Sequence, residues 1–184
     1  LAAANSCGRQ PAEHDPQKHI AAKRRQHPSH GMGSFTRLTY HVVFATKYRR
    51  PTIKEDIQER LYEYIGGILR GKKGHLIEIG GVEDHVHVLA GLSPTMAVSD
   101  VIRDVKAASS KWVKEERETE AFEWQKSFGV FSVSYDRVEA IRKYIRNQRE
   151  HHKTKTFHEE YIDFLERHGI EFQLEYLFEG EHGG

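Results

Sequence analysis

The order of strand-like and helix-like hydrophobic periods constrains the fold of this chain more than any other feature. Apolar residues recur at every second position in a strand and about every 3.6 positions in a helix. The chain shows these patterns in the order strand 36–46, helix 53–70, strand 75–82, strand 85–92, helix 98–112, strand 129–134 and a helix through Val138 and Ile145 that Asp136 can cap. A short helix over 156–168 follows, with Gly169 in the stop position. This β-α-β-β-α-β order predicts an α+β fold, a ferredoxin-like sandwich with a four-stranded antiparallel sheet and extra C-terminal helices.

Composition divides the chain into three parts. Residues 1–31 are rich in Gln, His, Pro, Lys and Arg and contain few apolar side chains, so we predict a disordered N-terminal extension. An alternative is that residues 23–25 form a basic DNA-binding arm. Residues 32–153 form the predicted central domain, and residues 154–184 a C-terminal helix and tail.

Charge and cysteine content exclude several classes of protein. Lys and Arg number 28 against 27 Asp and Glu, so the net charge of +1 does not by itself indicate a nucleic-acid partner. The single cysteine, Cys7, cannot form an internal disulfide or a cysteine metal cluster, which fits a reducing cytoplasm. No apolar run approaches the roughly 18 residues that span a bilayer. We therefore expect a cytoplasmic protein with no membrane partner.

Two histidines on the third predicted strand are the sharpest chemical signal. His85 and His87 are two residues apart, so both imidazoles project from the same side of the strand. Two neutral imidazoles placed in this way can hold one divalent cation. The alternative is that both are ordinary polar residues on a half-exposed strand.

A tyrosine and a glutamine on the helix after the fourth strand form the second signal. Tyr144 and Gln148 are four residues apart and therefore lie on one helix face. A phenol nucleophile and an amide oxygen ligand are thus presented together. Tyr144 alone would more often be a packing residue beside Ile141 and Ile145.

Together these residues suit cleavage of a phosphodiester bond by a tyrosine. A phenol has an ordinary pKa near 10, so Tyr144 needs a base or positive charge to become a good nucleophile. A cation held by His85, His87 and the Gln148 amide oxygen would bind the scissile phosphate and stabilise the leaving 3′ oxygen. Attack leaves a 5′-phosphotyrosine and a free 3′ hydroxyl. The retained bond energy allows the same site to reseal another end.

Three motifs in the same order carry a resemblance to a known family. They are the segment Tyr40–Arg50, the His85-Val86-His87 pair and the helical segment Tyr144–Gln148. The chain resembles the HUH-type single-tyrosine transposases over roughly Phe35 to His152. That family includes insertion-sequence transposases and REP-associated tyrosine transposases.

The resemblance implies a ferredoxin-like catalytic domain, here residues 32–153, that uses Mg²⁺ or Mn²⁺. It implies a substrate of single-stranded DNA with hairpin ends, Tyr144 as nucleophile, and His85, His87 and Gln148 as metal ligands. The insertion-sequence branch implies a homodimer and the REP-associated branch a monomer, of which we favour the dimer. An acidic residue before the first histidine assists the metal in some members, and the role of Glu83 and Asp84 is left open.

Basic residues near these motifs are candidate DNA contacts. Cations bind phosphates and an aromatic ring stacks on unpaired bases. The predicted DNA-binding residues are Lys47, Tyr48, Arg49, Arg50, Arg142, Lys143 and Arg146, with Arg149 close by. A solubilising turn is the alternative for the first four. His151 is a weaker candidate for orienting the phosphate, and His152 is assigned no role.

Two other functions are compatible with parts of this pattern. A hydrolytic metalloenzyme would use water in place of Tyr144, but the sequence offers no convincing third ligand and general base. A non-catalytic RNA-binding module would also use a ferredoxin-like sheet. Its third strand would carry stacking aromatics where this chain carries His85 and His87, which counts against it.

Overall fold

The computed structural model of the protein describes residues 35–119 and 121–177. Its strands and helices are β1 Thr39–Ala45, α1 Glu55–Gly71, β2 His75–Val82, β3 His85–Gly91, α2 Val98–Arg117, β4 Gly129–Ser132, α3 Val138–Arg146, α4 Gln148–His151, α5 Phe157–Arg167 and α6 Leu174–Leu177. Short 3₁₀ turns lie at Lys47–Arg49 and Tyr135–Arg137. The predicted disordered extension, 1–31, lies outside the described residues.

The sheet has four strands in the order β2-β3-β1-β4, and each neighbouring pair is antiparallel. This order follows from the split β-α-β connection of a ferredoxin-like fold. The predicted α+β class, the four-stranded antiparallel sheet and the additional C-terminal helices are therefore confirmed.

Alternation along β1 and β3 separates two packed faces. Val42, Phe44 and Val88 point to one face, where they form the larger hydrophobic core with α1 and α2. Val43 points to the other face and joins Phe164 of α5 in a second cluster. Burial of each such apolar side chain contributes about 1.5–3 kcal/mol. The second face is the one left uncovered by α1 and α2, and it carries the chemistry described below.

The helix that was predicted to begin under an Asp136 cap differs from the observed one. Asp136 lies in the preceding 3₁₀ turn, and α3 begins at Val138 without a side-chain cap. The helix then breaks at Asn147, whose φ of −94° and ψ of 15° depart from helical values, and continues as α4. The cap prediction is wrong because the extra turn moves Asp136 away from the N-cap position.

The segment after α2 also departs from the polar loop that its charged residues suggest. Phe122 and Trp124 are buried in the larger core. The indole Nε1 of Trp124 donates a hydrogen bond to the hydroxyl of Ser109 over 2.9 Å. Two aromatic anchors therefore close this end of the core, which a reading of charge alone does not reveal.

The C-terminal helix α5 has both of its predicted ends. Thr156 caps it through a reciprocal capping box with Glu159, and Gly169 adopts a φ of 62° just beyond its last turn. Within the described residues, no helix has both the length and the apolar character needed to cross a membrane. The cytoplasmic location stays a prediction.

Candidate metal centre and tyrosine site

His85 and His87 project from the second face of the sheet, on the same side of β3. Both are fully buried, and their ring centroids lie 5.1 Å apart. The Nε2 atom of each ring is buried without a hydrogen-bond partner. A buried polar atom without a partner is costly unless a ligand satisfies it. The geometry that the sequence predicted for this pair is present.

The Nδ1 atom of each histidine, on the side of the ring away from the site, has a polar neighbour within hydrogen-bond distance. His85 Nδ1 lies 2.7 Å from Asp84 Oδ1, and Arg49 Nε donates to Asp84 Oδ2 over 3.0 Å. His87 Nδ1 lies 3.0 Å from His41 Nε2. Such outer contacts fix the orientation of metal-binding histidines. They leave both Nε2 atoms directed into the site.

Burial keeps the imidazoles of His85 and His41 neutral. It lowers the pKa of His85 to about 4, against the opposing effect of the hydrogen bond that His85 donates to Asp84. Burial, followed by the neighbouring His87, lowers the pKa of His41 well below its ordinary value. Neutral imidazole is the form that binds cations, so His85 is ready to bind a metal at neutral pH.

Helix α5 brings a carboxylate to the same point. Glu160 is 2% exposed, and its Oε2 lies 3.3 Å from His87 Nε2, 3.4 Å from His152 Nε2 and 3.9 Å from His85 Nε2. The four ligand atoms of His85, His87, His152 and Glu160 all lie within 4.8 Å of one another. Burial acts to raise the pKa of Glu160, but the neighbouring imidazoles of His152 and His87 and the hydroxyl of Tyr144 hold that pKa below its ordinary value. The carboxylate is therefore ionised.

Tyr144 reaches the same cluster from α3. Its hydroxyl donates to Glu160 Oε1, and its ring lies edge-on to His87 with centroids 5.9 Å apart. Burial, and then the charge of Glu160, raises the pKa of Tyr144 above its ordinary value. The phenol is half-buried and protonated at neutral pH. It lies in the same chain as the histidines that it faces.

The contact between α3 and the sheet depends on a glycine. Gly80 of β2 pairs with His87 of β3, and a Cβ on Gly80 would lie 2.5 Å from the Ile145 carbonyl oxygen. Ile145 is 1% exposed and follows Tyr144 directly. Close approach at Gly80 therefore sets the height of the tyrosine above the metal-binding face.

Gln148 lies in the cluster, as its spacing from Tyr144 predicts. The helix break at Asn147 does not separate the two residues, since both contact Glu160. Gln148 is 1% exposed, and its Nε2 donates to Glu160 Oε1 over 3.1 Å. Its Oε1 is buried without a partner. The assignment of Gln148 as a metal ligand stays a prediction.

The four DNA-binding candidates after β1 have different surroundings. Lys47 forms an ion pair with Glu123. Tyr48 is 37% exposed, and the guanidinium of Arg50 lies 5.2 Å from its ring centroid. Arg49 points inward, where it binds Asp84 and lies over the Phe157 ring at 3.9 Å. Tyr48 and Arg50 therefore face solvent, while Arg49 supports His85 through Asp84.

The DNA-binding candidates on α3 lie on the outer surface of this helix, beside Tyr144. Arg142 and Arg146 both approach Glu78 of β2, at 3.5 Å and 2.7 Å from its Oε2. Lys143 is exposed. The role of all three in DNA binding stays a prediction.

Sequence reasoning missed Glu160 and gave His152 no role. Glu160 lies on the face of α5 that also carries the buried Phe157 and Phe164. A charged residue on the apolar face of an amphipathic helix is unusual unless it is paired. That position was the available signal.

Curated relatives of the chain are transposases of insertion sequences. The ISDra2 transposase TnpA of Deinococcus radiodurans is 26% identical over 124 residues, which cover 64% of this chain and 89% of the relative. The transposase for insertion sequence element IS200 of Salmonella typhimurium is 28% identical over 120 residues, 62% of this chain and 78% of the relative.

Two solved structures share the fold. A candidate transposase from Deinococcus radiodurans R1 superposes with a TM-score of 0.52 at 26% identity, covering 66% of this chain and 98% of that one. A REP-associated tyrosine transposase bound to a REP hairpin superposes with a TM-score of 0.51, covering 68% of this chain and 74% of that one. At 15% identity the second likeness shows the fold alone.

The fold, the paired histidines and the transposase relatives together indicate that this chain is a transposase. The family model of IS200-like transposases matches residues 34–148, well over half of the chain. The protein belongs to the IS200-like transposase family. His152 and Glu160 both lie beyond the matched residues.

Proposed function

We propose that the protein cleaves and rejoins single-stranded DNA through a covalent 5′-phosphotyrosine at Tyr144, with a divalent metal at the histidine cluster. One observation carries this proposal: the Tyr144 hydroxyl and the metal-facing Nε2 atoms of His85 and His87 meet around one buried carboxylate of the same chain. A nucleophile and a cation site must be adjacent for this chemistry.

The residues present fit a divalent metal. Buried nitrogen atoms without partners at His85 and His87 face a buried oxygen without a hydrogen-bond partner, Glu160 Oε2. We expect His85 and His87 to be ligands, with Gln148 as the further ligand that the family resemblance implies. A bound cation would supply positive charge to a phosphate as its negative charge develops. Because imidazole suits transition metals better than Mg²⁺, Mn²⁺ fits this donor set better.

Tyr144 supplies the nucleophile. In cleavage its phenol loses a proton, a bond forms between its oxygen and the phosphorus, and the bond to the 3′ oxygen breaks. That oxygen takes up a proton and leaves as a 3′ hydroxyl. Rejoining reverses these steps with another 3′ hydroxyl, so no nucleotide cofactor is needed.

The described residues of one chain bring the parts of this site together. Tyr144 faces His87 of its own chain with ring centroids 5.9 Å apart. We therefore propose cleavage in cis. The homodimer favoured from the insertion-sequence branch stays a prediction about assembly.

Hairpin-ended single-stranded DNA is the proposed substrate. A structural neighbour was solved bound to a REP hairpin, and the curated relatives are transposases of insertion sequences. Exposed Tyr48 and Arg50 offer a ring and a cation to unpaired nucleotides. Arg142, Lys143 and Arg146 are placed to guide the phosphate backbone to Tyr144.

One assay separates this proposal from the two rival functions. Protein is incubated with Mn²⁺ and end-labelled single-stranded oligonucleotides that carry the palindromes flanking its coding sequence, and then denatured. A covalent protein-DNA adduct supports the transposase. Cleavage without an adduct indicates water-based hydrolysis, and binding without cleavage indicates a non-catalytic module, and either of these outcomes rejects the proposal.

Arg50→Ala is expected to flatten the salt dependence of DNA binding. Each phosphate contact to a single strand contributes about 0.7 to the slope of log K against log salt, so one lost contact should lower the slope by about 0.7. The measurement is fluorescence anisotropy with a labelled single strand across a salt series. Lys111→Ala is the matched control, because Lys111 lies on α2 with a side chain that is 79% exposed. Equal slopes for both variants would remove Arg50 from the interface.

A further inference from the structure

The carboxylate of Glu160 has a separate set of partners for each of its two oxygens. Oε2 faces the Nε2 atoms of His85, His87 and His152 at 3.9, 3.3 and 3.4 Å. Oε1 accepts hydrogen bonds from the hydroxyl of Tyr144 and from the side chain of Gln148, and it lies 3.5 Å from His151 Nε2. The carboxylate therefore lies between the nucleophile and the imidazoles of His85, His87 and His152.

We infer that Glu160 and His152 complete the metal site through Glu160 Oε2 and His152 Nε2, while Glu160 Oε1 positions the hydroxyl of Tyr144. The inference rests on the proposed function and deepens it. It differs from the ligand set that the family resemblance implies, because Gln148 becomes the residue that holds Oε1 in place.

The outer contacts of the three histidines point to ligation. His85 Nδ1 lies 2.7 Å from Asp84, and His87 Nδ1 lies 3.0 Å from His41. His152 Nδ1 donates to the Lys155 carbonyl oxygen over 2.9 Å. Histidines that bind a metal through one nitrogen nearly always engage the other in this way. His152 therefore has the same arrangement as the two histidines of the strand.

The ligand atoms that face one another inside the cluster have no hydrogen-bond partner among the described residues. The Nε2 atoms of His85, His87 and His152 and the Oε2 atom of Glu160 are all buried without a hydrogen bond. A carboxylate that is 2% exposed carries a large desolvation cost in its charged form unless a cation lies beside it. A cation among these four atoms would offset that cost and satisfy all four at once.

The spacing of these atoms suits one cation. An octahedral ion with bonds of about 2.2 Å separates adjacent ligand atoms by about 3.1 Å and opposite ones by about 4.4 Å. The four atoms lie within 4.8 Å of one another, and the contacts of Glu160 Oε2 with the three imidazoles run from 3.3 to 3.9 Å. Four protein ligands leave two octahedral positions for phosphate oxygen or water.

The position of these residues in the chain gives the C-terminal segment a catalytic role. The family match ends at residue 148, and it is followed by His152, directly after α4, and by Glu160 on α5. Phe157 and Phe164 hold α5 against the sheet, so Glu160 enters the site from a docked helix. The catalytic unit then extends beyond residue 153, where composition had divided it from the tail.

The test is a titration of the full chain with Mn²⁺, with binding measured by calorimetry, for the wild type and four variants. Glu160→Gln and His152→Ala are each expected to weaken Mn²⁺ binding about 10–100-fold. Gln148→Ala is expected to weaken it less than either. Glu166→Gln is the matched control, because Glu166 is an exposed carboxylate on the same helix, and it should bind like the wild type. Wild-type affinity in both Glu160→Gln and His152→Ala would overturn the ligand assignment.

Thermal unfolding separates a lost ligand from a lost fold. Glu160→Gln keeps the volume of the side chain, so its melting temperature in EDTA should stay close to that of the wild type. Added Mn²⁺ should raise the melting temperature of the wild type and of Glu166→Gln by the same amount, and that of Glu160→Gln by less at the same Mn²⁺ concentration. An equal rise in Glu160→Gln would also overturn the assignment.

The positioning role has its own readout at saturating Mn²⁺. Glu160→Gln should still form the DNA adduct about 10²-fold more slowly, with KM for DNA unchanged, because the phenol loses its carboxylate acceptor. Recovery of the wild-type rate at saturating Mn²⁺ would refute this role. If the wild type forms no adduct while Glu160→Gln still loses Mn²⁺, the proposed function fails and the metal site stands. If the wild type forms the adduct while Glu160→Gln binds Mn²⁺ as tightly as the wild type, the proposed function stands and the ligand assignment fails.

Discussion

Tyr144→Phe is expected to lower DNA cleavage at least about 10³-fold and to remove the covalent adduct altogether. The variant keeps the ring and its edge contact with His87, but it lacks the only oxygen of this side chain that can attack phosphorus. Loss of a covalent nucleophile removes the reaction path itself, so the effect is large. The measurement is a single-turnover cleavage assay with labelled single-stranded DNA, analysed under denaturing conditions.

Two comparisons make this result specific to Tyr144. Tyr64→Phe removes a phenol on α1, at the opposite face of the sheet, where the ring stacks on Trp112 with centroids 5.1 Å apart. It should cleave like the wild type. Mn²⁺ affinity should change less than about threefold in Tyr144→Phe, because the hydroxyl contacts Glu160 Oε1 while the imidazoles face Oε2. An adduct that persists in Tyr144→Phe would rule out Tyr144 as the nucleophile.

The local periodicity of the sequence was enough to predict the order of strands and helices and which side chains share a face. The two-residue period places His85 and His87 on one side of β3, and the four-residue spacing brings Tyr144 and Gln148 to one place. Both predictions rest on the backbone geometry that is expected within one strand or one helix. The break at Asn147 was not predictable in this way, yet it did not move Gln148 out of reach of Glu160.

Relations between distant elements could not be obtained from such patterns. Glu160 reaches the histidines only because α5 docks on the second face of the sheet through Phe157 and Phe164. Arg49 was grouped with its neighbours as a DNA contact, but its left-handed φ of 52° accompanies an inward side chain that binds Asp84. The sequence shows which residues are charged. Which of these charges come into contact depends on how α5 packs on the sheet and on the conformation of the turn that contains Arg49.

The contact between Gly80 and α3 supplies a test of the catalytic geometry in which no reactive group is removed. We expect Gly80→Ala to slow adduct formation about 10²-fold. The new Cβ would lie 2.5 Å from the Ile145 carbonyl oxygen and 3.0 Å from Ile145 Cγ2. Backbone atoms at that distance must move apart, so α3 shifts and carries Tyr144 with it. A misplacement of about 1 Å can cost such a factor in rate.

The expected signature of Gly80→Ala is a rate defect that is larger than any loss of DNA affinity. DNA affinity should fall less than the rate, since Tyr48 and Arg50 lie after β1 and stay in place, while Arg142, Lys143 and Arg146 move with α3. The overpacked contact should cost about 1–3 kcal/mol of unfolding free energy, which a denaturant titration measures. Gly67→Ala is the matched control, because its Cβ would meet only the end of Arg70, at 3.7 Å. Wild-type turnover in Gly80→Ala would mean that the position from which the phenol attacks does not depend on this contact.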